Sequence, residues 1–388
     1  MVVISGMGIV SALGIGLQDN LQSLEAERVG LRKIQNFATI HDVPAGELPL
    51  DNRELKRRLG INEAKVVSRT SLLGMLAAEE ALADAGVGDR SRVALITATT
   101  VGGMDLTPVF FADFMADRTK GRLRYVRQHD CSNSTNAIAD YCHIDGFTTA
   151  ISTACSSAAN AIMTGCRLIE QGLADCVVAG GTDALCVYTL NGFKSLMILD
   201  SDRCRPFDAN RKGLNLGEAA AYVVLQRATD AHKQYCAVAG YANANDAFHQ
   251  TAMTAEGQGA SEAMLGALRQ ANLQPADIDY INAHGTGTPN NDASELAAMQ
   301  SVWADKMPKY SSTKGFTGHT LAAAGSVEAV FAALAIEHQT VWANIGCETP
   351  ISQQFAPVAH TAKCAVRNVM SNSFGFGGNC TSLVFSKI

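Results

Sequence analysis

Residues 147–172 read FTTAISTACSSAANAIMTGCRLIEQG. The opening FTTAI (147–151) alternates as a strand does, and NAIMTGCRLIEQG (160–172) has the apolar spacing of a helix that ends on glycine. A strand that turns almost directly into a helix is the building unit of a parallel sheet, so this stretch predicts an α/β fold. It also places Cys155 among small residues at the turn. A thiol there is either a small buried hydrophobe or a nucleophile held at a helix start.

The same alternation runs through the chain. Strand-like runs lie at 1–5, 92–99, 148–153, 175–181, 219–226, 235–242, 278–284, 368–375 and 380–387. Helix-like segments lie at 63–85, 155–172, 260–271, 292–303 and 321–338, the first of them ending before Gly86, a residue suited to a left-handed cap. No low-complexity linker divides the chain, and the best seam is at 228–236 (ATDAHKQYC). The order of elements on its two sides is alike. The pattern predicts two related α/β halves packed in one body, 1–235 and 236–388.

Composition narrows the function. The 388 residues are 47% hydrophobic and 18% charged, enough for a large core. A net charge of −6 argues against nucleic acid as the main partner. The reading finds no apolar run of about 18 residues that would span a bilayer, and no signal peptide at the start, MVVISGMGIVSALG. Eleven cysteines without a C-x-x-C pair speak against a metal site and for a reducing, cytoplasmic setting. GMGIVSALG has Ser11 where a dinucleotide fingerprint needs its third glycine, so nicotinamide binding is rejected.

Two histidines bear on Cys155. INAHGTGTPNND (281–292) puts His284 at the end of a strand, and STKGFTGHTLAAAGSVEAVFAAL (312–334) puts His319 just before a helix of small residues. Strand ends are where open α/β sheets place their sites. A thiol at the first turn of a helix is expected to have a lowered pKa, because unpaired N–H groups favour the thiolate. NSFGFGGNC (372–380) adds a glycine-rich turn with Phe374 and Phe376, suited to close approach of a substrate.

STACSSAANAI, NAHGTGTPNND, KGFTGHTLAAAGSVEAV and NSFGFGGN, in this order, resemble the elongating β-ketoacyl-acyl carrier protein synthases of the thiolase superfamily. ISGMGIVSALG and CRPFDANRKGLNLGEAAAYVVL (204–225) extend the resemblance over essentially the whole chain. GLNLGEAAA departs from the family's usual Gly-Phe-Val and Gly-Glu-Gly-Ala-Gly stretches, and the chain is slightly short before Cys155.

The resemblance implies a five-layered αβαβα thiolase-like fold and an acyltransferase. Cys155 would be acylated, and malonyl-acyl carrier protein would then lose carbon dioxide and attack the acyl group, as in fatty acid chain elongation. His284 and His319 would stabilise the enolate, with Lys314 as electrostatic support. The backbone N–H groups of Cys155 and Phe376 would form a second oxyanion hole, and Phe193, Phe374 and Phe376 would gate the pocket. The pocket walls would draw on 101–115 and 190–198, partly from the neighbouring subunit.

No cofactor is required. A sodium or potassium ion at Asn282, Glu328, Ser371 and Asn372 stands beside the alternative of a Glu328–Lys314 ion pair. Acyl carrier protein is acidic, so the basic run 118–127, with Lys120, Arg122, Arg124 and Arg127, is the expected docking surface. Lys56, Arg57, Arg58, Lys65 and Arg69 would widen it.

The expected assembly is a homodimer, or a heterodimer with a related subunit. The alternatives are a ketosynthase of a type II polyketide or aryl polyene pathway, a chain-length-factor-like subunit, and a thiolase using Cys380 as base. The nature of the acyl group is not legible from the sequence.

Overall fold

The computed structural model describes residues 1–388. Its main sheet is built from the same five-strand pattern twice. In the first half the strands lie side by side in the order Thr148–Ile151, Ala94–Ala98, Cys176–Asp183, Ala219–Arg227, Val2–Ser11. In the second half the order is Lys309–Ser311, Tyr280–Asn282, Asn368–Phe374, Asn379–Ser386, Cys236–Asn245. Numbered by position within its own half, each reads 3-2-4-5-1. In each half strands 3, 2 and 4 are parallel, and 5 and 1 run antiparallel to their neighbours. The halves join where Val3 and Ile4 pair with Ala237 and Cys236.

Helices complete five layers. Arg69–Asp84 covers the outer face of the first sheet, and Gln258–Ala271 that of the second. Between the sheets lie Ser157–Glu170 and Ala324–His338, packed on each other. Every residue from Ala324 to Ile336 is buried, as expected of a helix that is apolar all round. By length and composition Leu321–His338 is apolar enough to cross a membrane, which the reading of apolar runs overlooked. Here it is the central layer of the fold, with 89% of that window buried in the protein.

Element bounds depart from the sequence pattern in instructive places. The helix expected over 63–85 begins at Arg69, because Ser68 caps it by accepting the Ser71 N–H at 3.2 Å. Gly86 follows it in the left-handed conformation, φ +67°. Periodicity missed Thr107–Ala116, which buries none of its residues and leaves Phe111 and Met115 exposed. It also missed Lys309–Ser311, too short to show alternation.

The division at 235 is crossed within the core at Phe207. Phe207 is buried in the apolar cluster of the second half, and its N–H donates to Asp292 at 2.7 Å. All eleven cysteines are unpaired.

Candidate active site

The site forms where the carboxyl ends of the parallel strands of both halves converge. Strand Thr148–Ile151 runs into Thr153, Ala154 and Cys155, and Ser156 is the cap of helix Ser157–Glu170. Ala154 is left-handed, φ +52°, an uncommon state for a residue with a Cβ. The Ser157 hydroxyl holds this turn by accepting the Thr153 N–H at 2.8 Å and donating to the Ala154 carbonyl at 2.5 Å. Gly375 lies against the turn so closely that a Cβ there would sit 2.7 Å from the Thr153 oxygen.

Cys155 therefore stands ahead of the helix cap, not in the first helical turn, and is 5% exposed. Burial pushes its thiol up to about 11, while the Lys314 charge and the Phe376 N–H pull it down. The lowered pKa expected of a helix-start thiol is thus corrected: desolvation of the anion outweighs its stabilisation.

The histidines come from the second half. His284 follows strand Tyr280–Asn282, and its own N–H and that of Gly285 each donate to Glu295 at 2.8 Å. His319 is held through its backbone, donating to the Asn215 carbonyl at 2.7 Å and accepting from Gly217 at 2.8 Å. The rings meet edge-on, centroids 5.4 Å apart. The Cys155 sulfur and one nitrogen of each ring lie within 4.8 Å of one another.

The protonation of each ring follows from its partners. His319 Nδ1 accepts the Leu321 N–H at 3.0 Å, and the Lys314 ammonium stands 3.3 Å from His284 Nδ1. With Nδ1 accepting, each neutral ring carries its proton on Nε2. Burial first, then the Lys314 charge, holds both well below the ordinary histidine range. The pair is two neutral N–H donors. A zinc ion would need those nitrogens unprotonated, so the Cys–His–His trio is a donor set rather than a metal site.

Lys314 is 1% exposed, donates to the His284 carbonyl at 2.6 Å and is paired with Glu328 Oε1. The ion-pair alternative is therefore present. Burial raises Glu328 to about 7, with Lys314 opposing. The pair leaves Glu328 Oε2, both polar atoms of Asn282 and the Ser371 hydroxyl buried without a hydrogen-bond partner. Asn282 and Ser371 are neighbours across adjacent strands. Unsatisfied buried oxygens of this kind fit a hard cation. Asn372 does not share this state: its side chain accepts from Ser382 at 2.8 Å and donates to Glu295 at 3.3 Å.

Cys155, His284 and His319 open onto a cavity of about 250 Å³, walled by Phe193, Phe374 and Phe376. Phe376 stacks on Phe193 at 6.0 Å, and Phe374 lies 5.7 Å from the His284 ring. From 190–198 of the same chain the walls take Phe193 and Ile198, and from 101–115 of the same chain they take none. Val101 and Met104 instead pack behind Phe193 in one apolar cluster.

Two residues that the sequence reading passed over, Thr286 and Thr288, line the cavity with hydroxyls 3.0 Å apart. Their signal was the HGTGT run itself. Glu295, eleven residues after His284 on helix Pro289–Trp303, was also missed.

The two models of the β-ketoacyl synthase family, for its N-terminal and C-terminal domains, match residues 1–231 and 235–348. The chain belongs to this family. Its similarity to 3-oxoacyl-[acyl-carrier-protein] synthase 2 of Rhizobium meliloti is 34% identity over all of this chain and 98% of that protein. The synthase 2 of Staphylococcus aureus is 31% identical over the same shares. Among solved structures, the ishigamide ketosynthase/chain length factor superposes with a TM-score of 0.93 at 29% identity, covering 100% of this chain and 99% of that one. The ketosynthase ApeO in complex with its chain length factor ApeC, from Xenorhabdus doucetiae, gives 0.88 at 32% identity, covering 100% and 98%.

Within this synthase fold Cys380 is fully buried behind the glycine-rich turn, outside the cavity, its thiol pushed up to about 12 by burial. That removes the base a thiolase would need.

The basic run 118–127 also lies outside the cavity lining, and Lys120 pairs with Asp117 at 3.7 Å. Arg69 drops out of the wider patch. It is 4% exposed and grips Glu218 through Nη2 at 2.6 Å and Nε at 2.8 Å.

Proposed function

We propose that the chain is a β-ketoacyl-acyl carrier protein synthase that joins an acyl group held on Cys155 to malonyl-acyl carrier protein. The observation that carries this reading is the convergence of one thiol with two neutral N–H donors. In the first stage the Cys155 sulfur attacks the acyl thioester. The developing oxyanion is met by the N–H groups of Cys155 and Phe376. The thiol proton leaves with the carrier's thiol, so a protonated resting Cys155 is consistent with the step.

In the second stage the malonyl carboxylate departs as carbon dioxide, and its electron pair becomes an enolate. His284 and His319 donate to that oxygen as its charge grows. The enolate carbon attacks the Cys155 thioester and expels the cysteine sulfur, which takes up a proton. The product is a β-ketoacyl thioester two carbons longer. Thr286 and Thr288, which line the cavity, would hold the polar arm that delivers both thioesters.

A monovalent cation would be held by Asn282, Ser371 and Glu328. It would neutralise the second Glu328 oxygen beneath the histidine region.

Carrier docking is assigned to Lys120, Arg122, Arg124 and Arg127. Strands Thr148–Ile151 and Lys309–Ser311 each end the sheet with one edge unpaired, and such an edge favours assembly. A homodimer is the simplest arrangement. Pairing with a chain length factor in a polyketide pathway is the second reading, favoured by the 0.93 superposition on the ishigamide ketosynthase/chain length factor. The unpaired cysteines support a cytoplasmic setting.

Incubation with a panel of acyl-carrier proteins, followed by mass spectrometry of Cys155, tests the reading. An acyl adduct that malonyl-carrier protein then discharges as a longer product is expected. Absence of any adduct overturns the assignment.

A further inference from the structure

Asp183 ends strand Cys176–Asp183 of the first half and is completely buried. No cation pairs with it. Its carboxylate instead collects five donors. Oδ1 accepts from the Thr99 hydroxyl at 2.6 Å and from the N–H groups of Thr100 and Val101 at 3.0 Å each. Oδ2 accepts from the Thr100 hydroxyl at 2.6 Å and from the Ala322 N–H at 2.9 Å. A buried charge without a counter-ion is costly unless its hydrogen bonds are complete, so this arrangement needs a reason.

The last of these bonds supplies one, because it crosses from the first half to the second. Ala322 is three residues beyond His319. Leu321, between them, is left-handed, φ +55°, an unfavourable state for leucine. The Leu321 N–H is the group that His319 Nδ1 accepts at 3.0 Å. That hydrogen bond fixes both the ring's tautomer and its direction. The turn is closed locally by the Ala323 N–H, which donates to the Thr320 carbonyl at 3.1 Å, and Asp183 Oδ2 is the charged group that holds it from the other half. Leu321 packs its side chain into the same apolar cluster as Val101, which Asp183 grips through the N–H.

We propose that Asp183 is the positioning residue for His319: from the first half it pins the Leu321–Ala322 turn, and thereby aims the Nε2–H of His319 at the enolate oxygen. The inference rests on the proposed role of His319 in decarboxylation. It assigns Asp183 no contact with substrate.

The test is Asp183→Asn, which keeps shape but sets an NH₂ group against one or more of the five donors. Acylation of Cys155 and carbon dioxide release from malonyl-carrier protein are measured separately. Both are measured on the same preparation and their ratio is compared with that of the wild type, so that any unfolded fraction cancels. Carbon dioxide release should fall roughly 10- to 100-fold, the scale of a small misplacement of a reacting group. Acylation should not fall, because the thiol and its oxyanion donors are not held by Asp183 and loss of its charge only eases thiolate formation at Cys155.

Nitrogen-15 spectra of labelled histidine give a second readout. His319 should lose its single Nε2–H tautomer, while His284 keeps its own. Asp183→Glu retains the charge and displaces the acceptors by one methylene. It should give a smaller loss in the same direction, and it carries the test if the asparagine variant does not fold. Equal losses in both half-reactions, or an unchanged His319 tautomer, would overturn the role. Failure of wild-type protein to release carbon dioxide at all would sink the proposed function instead, so the two failures are distinguishable.

Discussion

The two halves share a strand order and differ in what their strand ends hold. In the second half, strand 2 is followed by His284, strand 3 by Lys314 and His319, and strand 4 by the turn carrying Phe376. In the first half, strand 2 is followed by Thr99, Thr100 and Val101, strand 3 by Cys155, and strand 4 ends in Asp183. In the proposed reaction the second half offers donors and charge to the substrate. The first offers one reacting atom and a carboxylate that binds only its own backbone, two hydroxyls and one N–H of the other half. Duplication brings matching strand ends to one place; the side chains then divide the chemistry.

The hardest break in that division is Cys155→Ala. It removes the reacting atom of the first half, and condensation should fall to background in a product assay. Cys155→Gln should retain carbon dioxide release from malonyl-carrier protein, since both donors of the second half remain. Normal condensation by Cys155→Ala would end the comparison.

His284→Ala and His319→Ala each delete one donor from the second half. Decarboxylation should drop roughly 100- to 1,000-fold in each. Acylation of Cys155, followed by mass spectrometry, should drop far less. Equal losses in the two steps would mean that the halves do not divide the work.

Lys314→Met probes the charge beneath the histidines. Well above pH 7, where Glu328 stays ionised, removing its buried partner should cost about 3–5 kcal/mol of stability in denaturant titration. A loss below 1 kcal/mol would mean that Glu328 has another partner.

The resting thiol gives a pH test. With Cys155 raised to about 11, its thiolate fraction, and hence its alkylation by iodoacetamide, should climb about tenfold per pH unit between pH 7 and 9. A plateau reached by pH 7 would restore the low-pKa reading. Both histidines lie below the ordinary range, so decarboxylation should not gain from acidification between pH 8 and 7.

The smallest effect is expected outside the site. Glutamate at Arg122 and Arg124 should raise KM for acyl-carrier protein several-fold at low salt. Activity on an acyl-pantetheine should be untouched. The effect should shrink as salt shortens the screening length below about 8–10 Å. If both substrates suffer alike, the run 118–127 is structural.

What the sequence determined by itself is what local pattern can encode. Alternating apolar runs and the βα turn at Cys155 gave away the fold class, and the repeated order of elements gave away the duplication. Four short motifs contained the thiol, both histidines and Lys314 at positions the structure brings together. These were legible because backbone periodicity and motif spacing are properties of neighbouring residues.

The remainder depended on neighbours distant in sequence. Burial, not the nearby helix, decides the protonation of Cys155, and burial is the sum of every layer around it. Asp183 looked like the end of one strand among many, until folding placed Ala322 against it from 139 positions away. Arg69 read as a surface charge and is sealed against Glu218. A side chain's partner across the core leaves no periodic trace in the chain, and so only the tertiary structure could name it.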